Sequence, residues 1–266
     1  VKRIDITLKD VNAVYEGPEG ELWELIMGEQ IHVGGFASSM ELAQKAGIKE
    51  GQRVIDLCSA LGAGLRFLIK NFGVKGCGLD GTKKMLEKAA ERSARDGMNG
   101  NLEFKLGDVT AIPWGDGEFD VVWGEDAWCY VVDKDKLVSE AARVLKPGGT
   151  IAFTDWVEGT AGLNDADAER IERFMKFPYL ESGKGYEALL EKHGFEVRVS
   201  DDLTPDFADH IAFYIDMLTK QLSFDALRII GWDMELFKAM GGEMAFMLEK
   251  AREGAFGRAR LVGVKK

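Results

Sequence analysis

Residues 54–68 read VIDLCSALGAGLRFL. The run opens apolar, places an acid at Asp56, breaks into small residues and resumes with apolar residues at helical spacing. That change of period predicts a strand, a tight loop and a helix. A unit of this kind offers its loop and helix N-terminus to a ligand beyond the strand's carboxyl end. The loop's spacing discriminates between ligands. Counting from Gly62 and Gly64, a dinucleotide fingerprint requires glycine where Phe67 stands; in the earlier register Cys58 and Ala60 occupy glycine positions. A pyrophosphate needs closely approaching backbone amides, so those losses argue against NAD.

Outward from this unit, strand and helix alternate. RVIDLC (53–58), KGCGLD (75–80), NLEFKLGD (101–108), EFDVVWGE (118–125), TIAFTDW (150–156) and FEVRVS (195–200) read as strands, and GRARLVGVK (257–265) as a last one. Helices are predicted over 65–73, from an N-cap at Thr82 to about 95, over about 135–145 with a stop at 146–149, and over 186–194. Repeated βα units imply an α/β, Rossmann-like sheet of seven mostly parallel strands, with helices on both faces. Two regions break the rhythm: an N-terminal cap segment over 1–46, and a Met- and Phe-rich helical lid over 203–254. The core spans 47–202, and 255–266 supplies the final strand.

The chain has 266 residues, 46% hydrophobic and 30% charged, with a net charge of −11. That charge argues against nucleic acid, which requires a basic face. Cys58, Cys77 and Cys129 are too few and scattered for a disulfide framework or a zinc site. Cys58 and Cys77 fall in predicted strands and read as buried thiols of a cytoplasmic protein. No run approaches the ~18 apolar residues of a membrane span, and the N-terminus lacks a signal-peptide pattern. A small-molecule substrate follows; homo-oligomerisation stays open.

S-adenosylmethionine carries no phosphate, and its methionine tail tolerates small residues such as Ser59 and Ala60. Acids stand where such a cofactor needs them: Asp56 for the amino group, Asp80 at the second strand's end for the ribose hydroxyls, and Asp108 for the adenine amine, with the Val109 amide beside it.

With these acids and LKPGG (145–149) in register, the chain resembles the class I S-adenosylmethionine-dependent methyltransferases. More narrowly, it is similar to the phosphoethanolamine and sarcosine/dimethylglycine N-methyltransferase group. VYEGPEGELWELIMGEQIHVGG, FDVVWGEDAW, RVLKPGGTIAFTDW, ESGKGYEALLEKHGFEV and GAFGRAR carry the resemblance. It implies S-adenosyl-L-methionine as cofactor, held by Tyr15, Gly34, Asp56, Ser59, Ala60, Gly62, Asp80, Gly81, Asp108, Val109 and Glu125. It also implies catalytic roles for Tyr15, which closes over the site, and for Asp126. Where phosphoethanolamine enzymes pair that tyrosine with a histidine, this chain has Tyr130, leaving His32 and His210 as replacement bases. Trp156 stands where a tyrosine is expected, and the basic cluster that reads a phosphate is thinned to Lys176 and Lys184. A phosphorylated acceptor is therefore disfavoured against a glycine-, sarcosine- or dimethylglycine-like amine. Trp128, Tyr130, Trp156, Tyr186, Tyr214 and Trp232 are expected to form an aromatic cage for an alkylammonium, with Lys176 beside it. The transfer requires no metal. O-, S- or C-methylation of another small metabolite, or a catalytically inactive cofactor-binding regulator, are the alternatives.

Overall fold

The computed structural model describes residues 3–98 and 100–266. Seven strands, Arg53–Leu57 (β1), Lys75–Asp80 (β2), Leu102–Leu106 (β3), Phe119–Glu125 (β4), Leu145–Glu158 (β5), Phe195–Asp202 (β6) and Phe256–Lys265 (β7), form one sheet in the order β3-β2-β1-β4-β5-β7-β6. β1 to β5 pair in parallel, and β7 inserts antiparallel between β5 and β6. This is the mostly parallel Rossmann-like sheet expected from the sequence. The order reverses between β1 and β4, so connections diverge there and leave a crevice at the strands' carboxyl ends. Lys146–Gly149, read as a helix stop, falls inside β5, which begins at Leu145: that residue pairs with Phe119 across an irregularity before Thr150 meets Val121.

Successive strand residues point to opposite faces. Val54, Val121 and Ala152 pack under Leu42 and Ala43 of α3 (Gly35–Ala46) and Leu65 and Leu68 of α4 (Ala63–Phe72). Their neighbours Ile55, Val122 and Phe153 meet Leu137 and Val138 of α6 (Lys134–Val144) and Leu190 of α8 (Gly183–Lys192). Each fully buried large apolar side chain contributes roughly 1.5–3 kcal/mol.

A third cluster sits over the carboxyl edge. Leu22 and Ile26 of α2 (Pro18–Met27), Ile171 of α7 (Asp165–Met175), Phe207 and Ile211 of α9 (Thr204–Lys220) and Met244 and Met247 of α11 (Met234–Arg252) gather on Trp156 and Phe256. The N-terminal and late helices thus share one core. α1 (Leu8–Glu16) starts with a Thr7–Asp10 capping box, and α2 starts with proline in its first turn. Asn12 fastens α1 to the end of β2: its Nδ2 donates to Gly81 O (3.0 Å) and its Oδ1 accepts from Thr82 Oγ1 (2.9 Å). Thr82 precedes α5 (Lys83–Arg95) and α10 spans Ser223–Ile229. Among the described residues no helix is long and apolar enough to cross a membrane.

Candidate active site

The loop after β1 turns by alternating left-handed residues: Cys58 (φ 66°), Ala60 (φ 42°) and Gly62 (φ 65°). The turn lets the Cys58 and Ser59 amides donate to Leu79 O at 2.9 and 3.1 Å, and the Ala60 amide to Asp80 Oδ2 at 2.8 Å. Cys58 therefore lies beyond the strand that was expected to contain it. A left-handed backbone is unfavourable for residues with a side chain, and small ones are strained least. At Gly62 a Cβ would lie 2.6 Å from Phe104 Cζ, so any side chain there would have to displace that ring. That glycine faces the β3 side and does not line the crevice, which corrects its expected place beside the cofactor.

The crevice is walled by α1, the 28–32 segment, the loop after β1, the β2 and β3 ends, and the 125–133 segment after β4. Asp56 and Glu125 converge at its base. A Cβ on Gly64 would sit 3.1 Å from Glu125 Oε2 and 3.3 Å from Asp56 Oδ2, so only glycine leaves that acid pair accessible. Burial first, then Glu125 and Asp80, push the Asp56 carboxyl well above its ordinary range. Glu125 accepts from Ser39 Oγ (2.8 Å) and Trp123 Nε1 (3.0 Å), with His32 Nε2 at 3.4 Å. His32 is buried and engaged on both nitrogens, by Val33 O at Nδ1 and Gln30 Oε1 at Nε2 (2.7 Å). Asp80 accepts from the Ala60 and Thr82 amides at 2.8 Å each; burial raises its carboxyl and those bonds oppose the rise. Asp108 holds Thr110 through N and Oγ1 at 2.8 Å and lines the crevice with Val109 and Gly81.

At the other end, Tyr15 and Tyr130 share a hydroxyl–hydroxyl hydrogen bond of 2.9 Å with their rings edge to face. Burial raises both phenols far above their ordinary range. Asp126 (φ 54°) reaches the wall but is already committed. It accepts from Arg258 Nε at 2.7 Å and from the Val33 amide at 2.8 Å. Burial pushes its carboxyl up, and Arg258, His32 and these bonds overcome that, leaving it below the ordinary range. Arg258 also donates to Ser38 Oγ and Thr154 Oγ1, at 3.0 and 2.9 Å. Lys and Arg are absent from the described residues that line the crevice.

Of the expected aromatic cage, Tyr130 alone lines this space among the described residues. Trp128 is fully buried, stacked on Phe153 with its indole N–H on Leu57 O. Trp156 packs among Phe177, Phe207 and Phe256. Tyr186 lies in the core and donates to Asp155. Tyr214 is buried in the helical cluster, its hydroxyl on the Gly34 backbone. Trp232 is exposed against Phe224, and Lys176 ends α7 beside Asp10 and Pro18. His210 Nδ1 lies 2.8 Å from Asp206 O of its own helix, and Gly34 caps α3 in a left-handed turn; neither lines the crevice. For Trp128, Trp156, Tyr186 and Tyr214 the large apolar area went to packing because neighbouring elements cover the position. Sequence reading missed Arg258, Ser39, Gln30 and Gly64. Two arginines inside the otherwise apolar GRARLVGV were the available signal for Arg258, since a buried cation on a strand requires a partner.

The residues fit the cofactor expected from the loop. Ser59 Oγ and Gln30 Nε2 are buried on the wall without a partner, and the base offers carboxylates for an ammonium and no cradle for paired phosphates.

Comparison with known proteins agrees. Residues 55–153 match the family model of a methyltransferase domain. The phosphoethanolamine N-methyltransferase 1 of Triticum aestivum is 27% identical over 239 residues, covering 85% of this chain and 47% of the wheat protein. The chain thus spans about half the length of that curated relative. A Galdieria sulphuraria protein named as a sarcosine dimethylglycine methyltransferase superposes with a TM-score of 0.76 at 25% identity, over 87% of this chain and 84% of that one. A phosphoethanolamine N-methyltransferase 2 of Haemonchus contortus, solved with phosphomonomethylethanolamine and S-adenosylhomocysteine, gives a TM-score of 0.85 at 22% identity, over 98% of this chain and 61% of that one.

Proposed function

We infer, from a chain that carries a class I S-adenosylmethionine-dependent methyltransferase domain, an enzyme that methylates the nitrogen of a small, unphosphorylated amine. The observation that carries the substrate class is the wall of the crevice, rich in carboxylates and lacking Lys and Arg among its described residues. A phosphate dianion would meet no lysine or arginine there. An amine, neutral or cationic, is compatible with the same wall, and the single carboxylate of a glycine-type acceptor has the Tyr130 hydroxyl as a donor, since Tyr15 donates its own proton to Tyr130.

The cofactor supplies an electrophilic methyl group on a sulfonium. Asp56 and Glu125 would hold its ammonium, Asp80 its ribose and Asp108 with Val109 its adenine. The acceptor nitrogen needs a free lone pair, so its proton is lost to solvent before the site closes; that lone pair then takes the methyl in line as the S–CH3 bond breaks, leaving S-adenosylhomocysteine as a neutral thioether. Tyr15 and Tyr130 keep their protons at neutral pH, so they orient the acceptor by hydrogen bonds and do not act as bases. Catalysis rests on holding donor and acceptor at about 3–3.5 Å in a dry space. Residues 8–15 and 29–32 of the cap line the crevice and exclude water from it, while the 203–254 helices pack behind the cap on Trp156 and Phe256 and do not reach the crevice.

Release of S-adenosylhomocysteine is measured with glycine, sarcosine, dimethylglycine, phosphoethanolamine, a phenol and a thiol. An unphosphorylated amine is expected to turn over best, with phosphoethanolamine at least about tenfold poorer in kcat/KM, which is ~1.4 kcal/mol. Preference for phosphoethanolamine overturns this reading; cofactor binding with no turnover favours a regulator. Leu8, Val11, Ile31 and Val132 on the wall give the phenol its place in the panel, because they suit an apolar acceptor for O-methylation.

A further inference from the structure

Tyr130 ends a short 3₁₀ turn, Trp128–Tyr130, between β4 and α6. The peptide groups on either side of it are held by two fully buried ionisable side chains that do not line the crevice. Lys134 Nζ lies 3.3 Å from Cys129 O, 3.0 Å from Val131 O and 3.2 Å from Tyr179 O. An ammonium has three protons, and here three carbonyls take them. Asp155 Oδ1 accepts from the Cys129 amide at 3.0 Å, while its Oδ2 accepts from Tyr186 Oη at 2.5 Å. Packing alone does not call for such an arrangement, since apolar side chains of similar volume fill a core as well as or better than buried charged groups. What this pair does is fix one stretch of backbone. The Tyr130 ring is braced by Phe177, edge to face at 4.9 Å, and its hydroxyl is left aimed at Tyr15.

We propose that Lys134 and Asp155 are positioning residues that hold the Tyr130 hydroxyl against Tyr15 in the crevice, and so set the turnover of the reaction proposed above, on which this inference rests. Without the Lys134 ammonium the Cys129 and Val131 carbonyls are buried and unpaired, and the turn rotates to find other donors. The 2.9 Å contact between the two hydroxyls lengthens as a result.

The test is a double-mutant cycle in the full chain with Lys134→Met, Tyr130→Phe and the double variant. Lys134→Met is expected to lower kcat at least about tenfold with KM for S-adenosylmethionine within about twofold, and to cost less than about twofold once Tyr130 is already Phe. An equal loss in both backgrounds overturns the proposal, because the lysine would then act independently of Tyr130. Asp155→Asn serves as the second variant if Lys134→Met does not fold, with the same expectations. A second readout does not depend on turnover: in protein labelled with 3-fluorotyrosine, the fluorine resonance absent from Tyr130→Phe is expected to shift or broaden in Lys134→Met and Asp155→Asn. A resonance that stays in place refutes the positioning role. If no acceptor is methylated at all, the functional reading fails, and the resonance still decides this one.

Discussion

Arg258→Met provides the sharpest test of how the cap is held on the sheet. Arg258 and Asp126 come from positions 132 residues apart, with side chains 5% and 2% exposed, and their bond joins β7 to the end of β4. The Asp126 carboxylate in turn anchors the Val33 amide of the cap. Removing the guanidinium leaves a buried carboxylate with that one donor, and breaking a buried pair from one side costs about 3–5 kcal/mol. At ~2–4 °C per kcal/mol for a chain of this size, the melting temperature falls by roughly 6–20 °C. Asp126→Asn strands the guanidinium instead and is expected to cost about as much. The double variant is the discriminating one. It contains no unpaired charge, and the carboxamide that replaces the Asp126 carboxylate still offers an oxygen to Val33. It should therefore be at least ~2 kcal/mol more stable than the two single losses added together. Urea unfolding of the four cofactor-free proteins at pH 7 measures this, since bound ligand would add its own stabilisation. Strict additivity would refute the argument that an uncompensated charge dominates the loss.

Three further outcomes follow from the site. Asp80→Ala removes the acceptor of the Ala60 and Thr82 amides; calorimetry should show cofactor affinity at least about tenfold weaker, as expected for ~1.5–3 kcal/mol of charged hydrogen bonding, and unchanged affinity would place the ribose elsewhere. Gly64→Val pushes a side chain onto Glu125 and Asp56, where even a Cβ comes within 3.1 and 3.3 Å; binding of S-adenosylmethionine should be largely lost while the fold, followed by circular dichroism, persists. Asp155 is raised to about 6, chiefly by burial. The folded protein therefore keeps this proton up to about that pH, while the unfolded chain releases it near ~4. The stability it contributes is full below ~4 and is lost as pH rises through 6. Asp155→Asn should flatten the pH dependence of unfolding between 4 and 6, and an unchanged slope would assign the effect to other groups.

Much of the sheet was legible because its code is local. Val54 and Ile55, or Val121 and Val122, face opposite sides and are both covered, so buried strands read as continuous apolar runs bounded by Gly, Asp and helix caps. The crevice was legible for a related reason: Asp56, Asp80, Asp108 and Glu125 stand at or just past strand ends, and parallel strands bring those ends to one edge. The aromatics were not legible in this way. Trp128 follows a strand end just as Tyr130 does, yet two positions of rotation in a tight turn send one ring onto Phe153 and the other toward Tyr15.

The sequence by itself determined the alternation of strands and helices, the place of the ligand loop and the kind of ligand it admits, because hydrophobic period and the bulk of residues 58–64 act over a few positions. Only the tertiary structure decided which side chains face the crevice. Whether a Trp is wall or core, and whether an aspartate such as Asp126 is free or bound to an arginine 132 residues away, depends on what packs against it from distant parts of the chain. Burial supplies that energy, and it has no local signature.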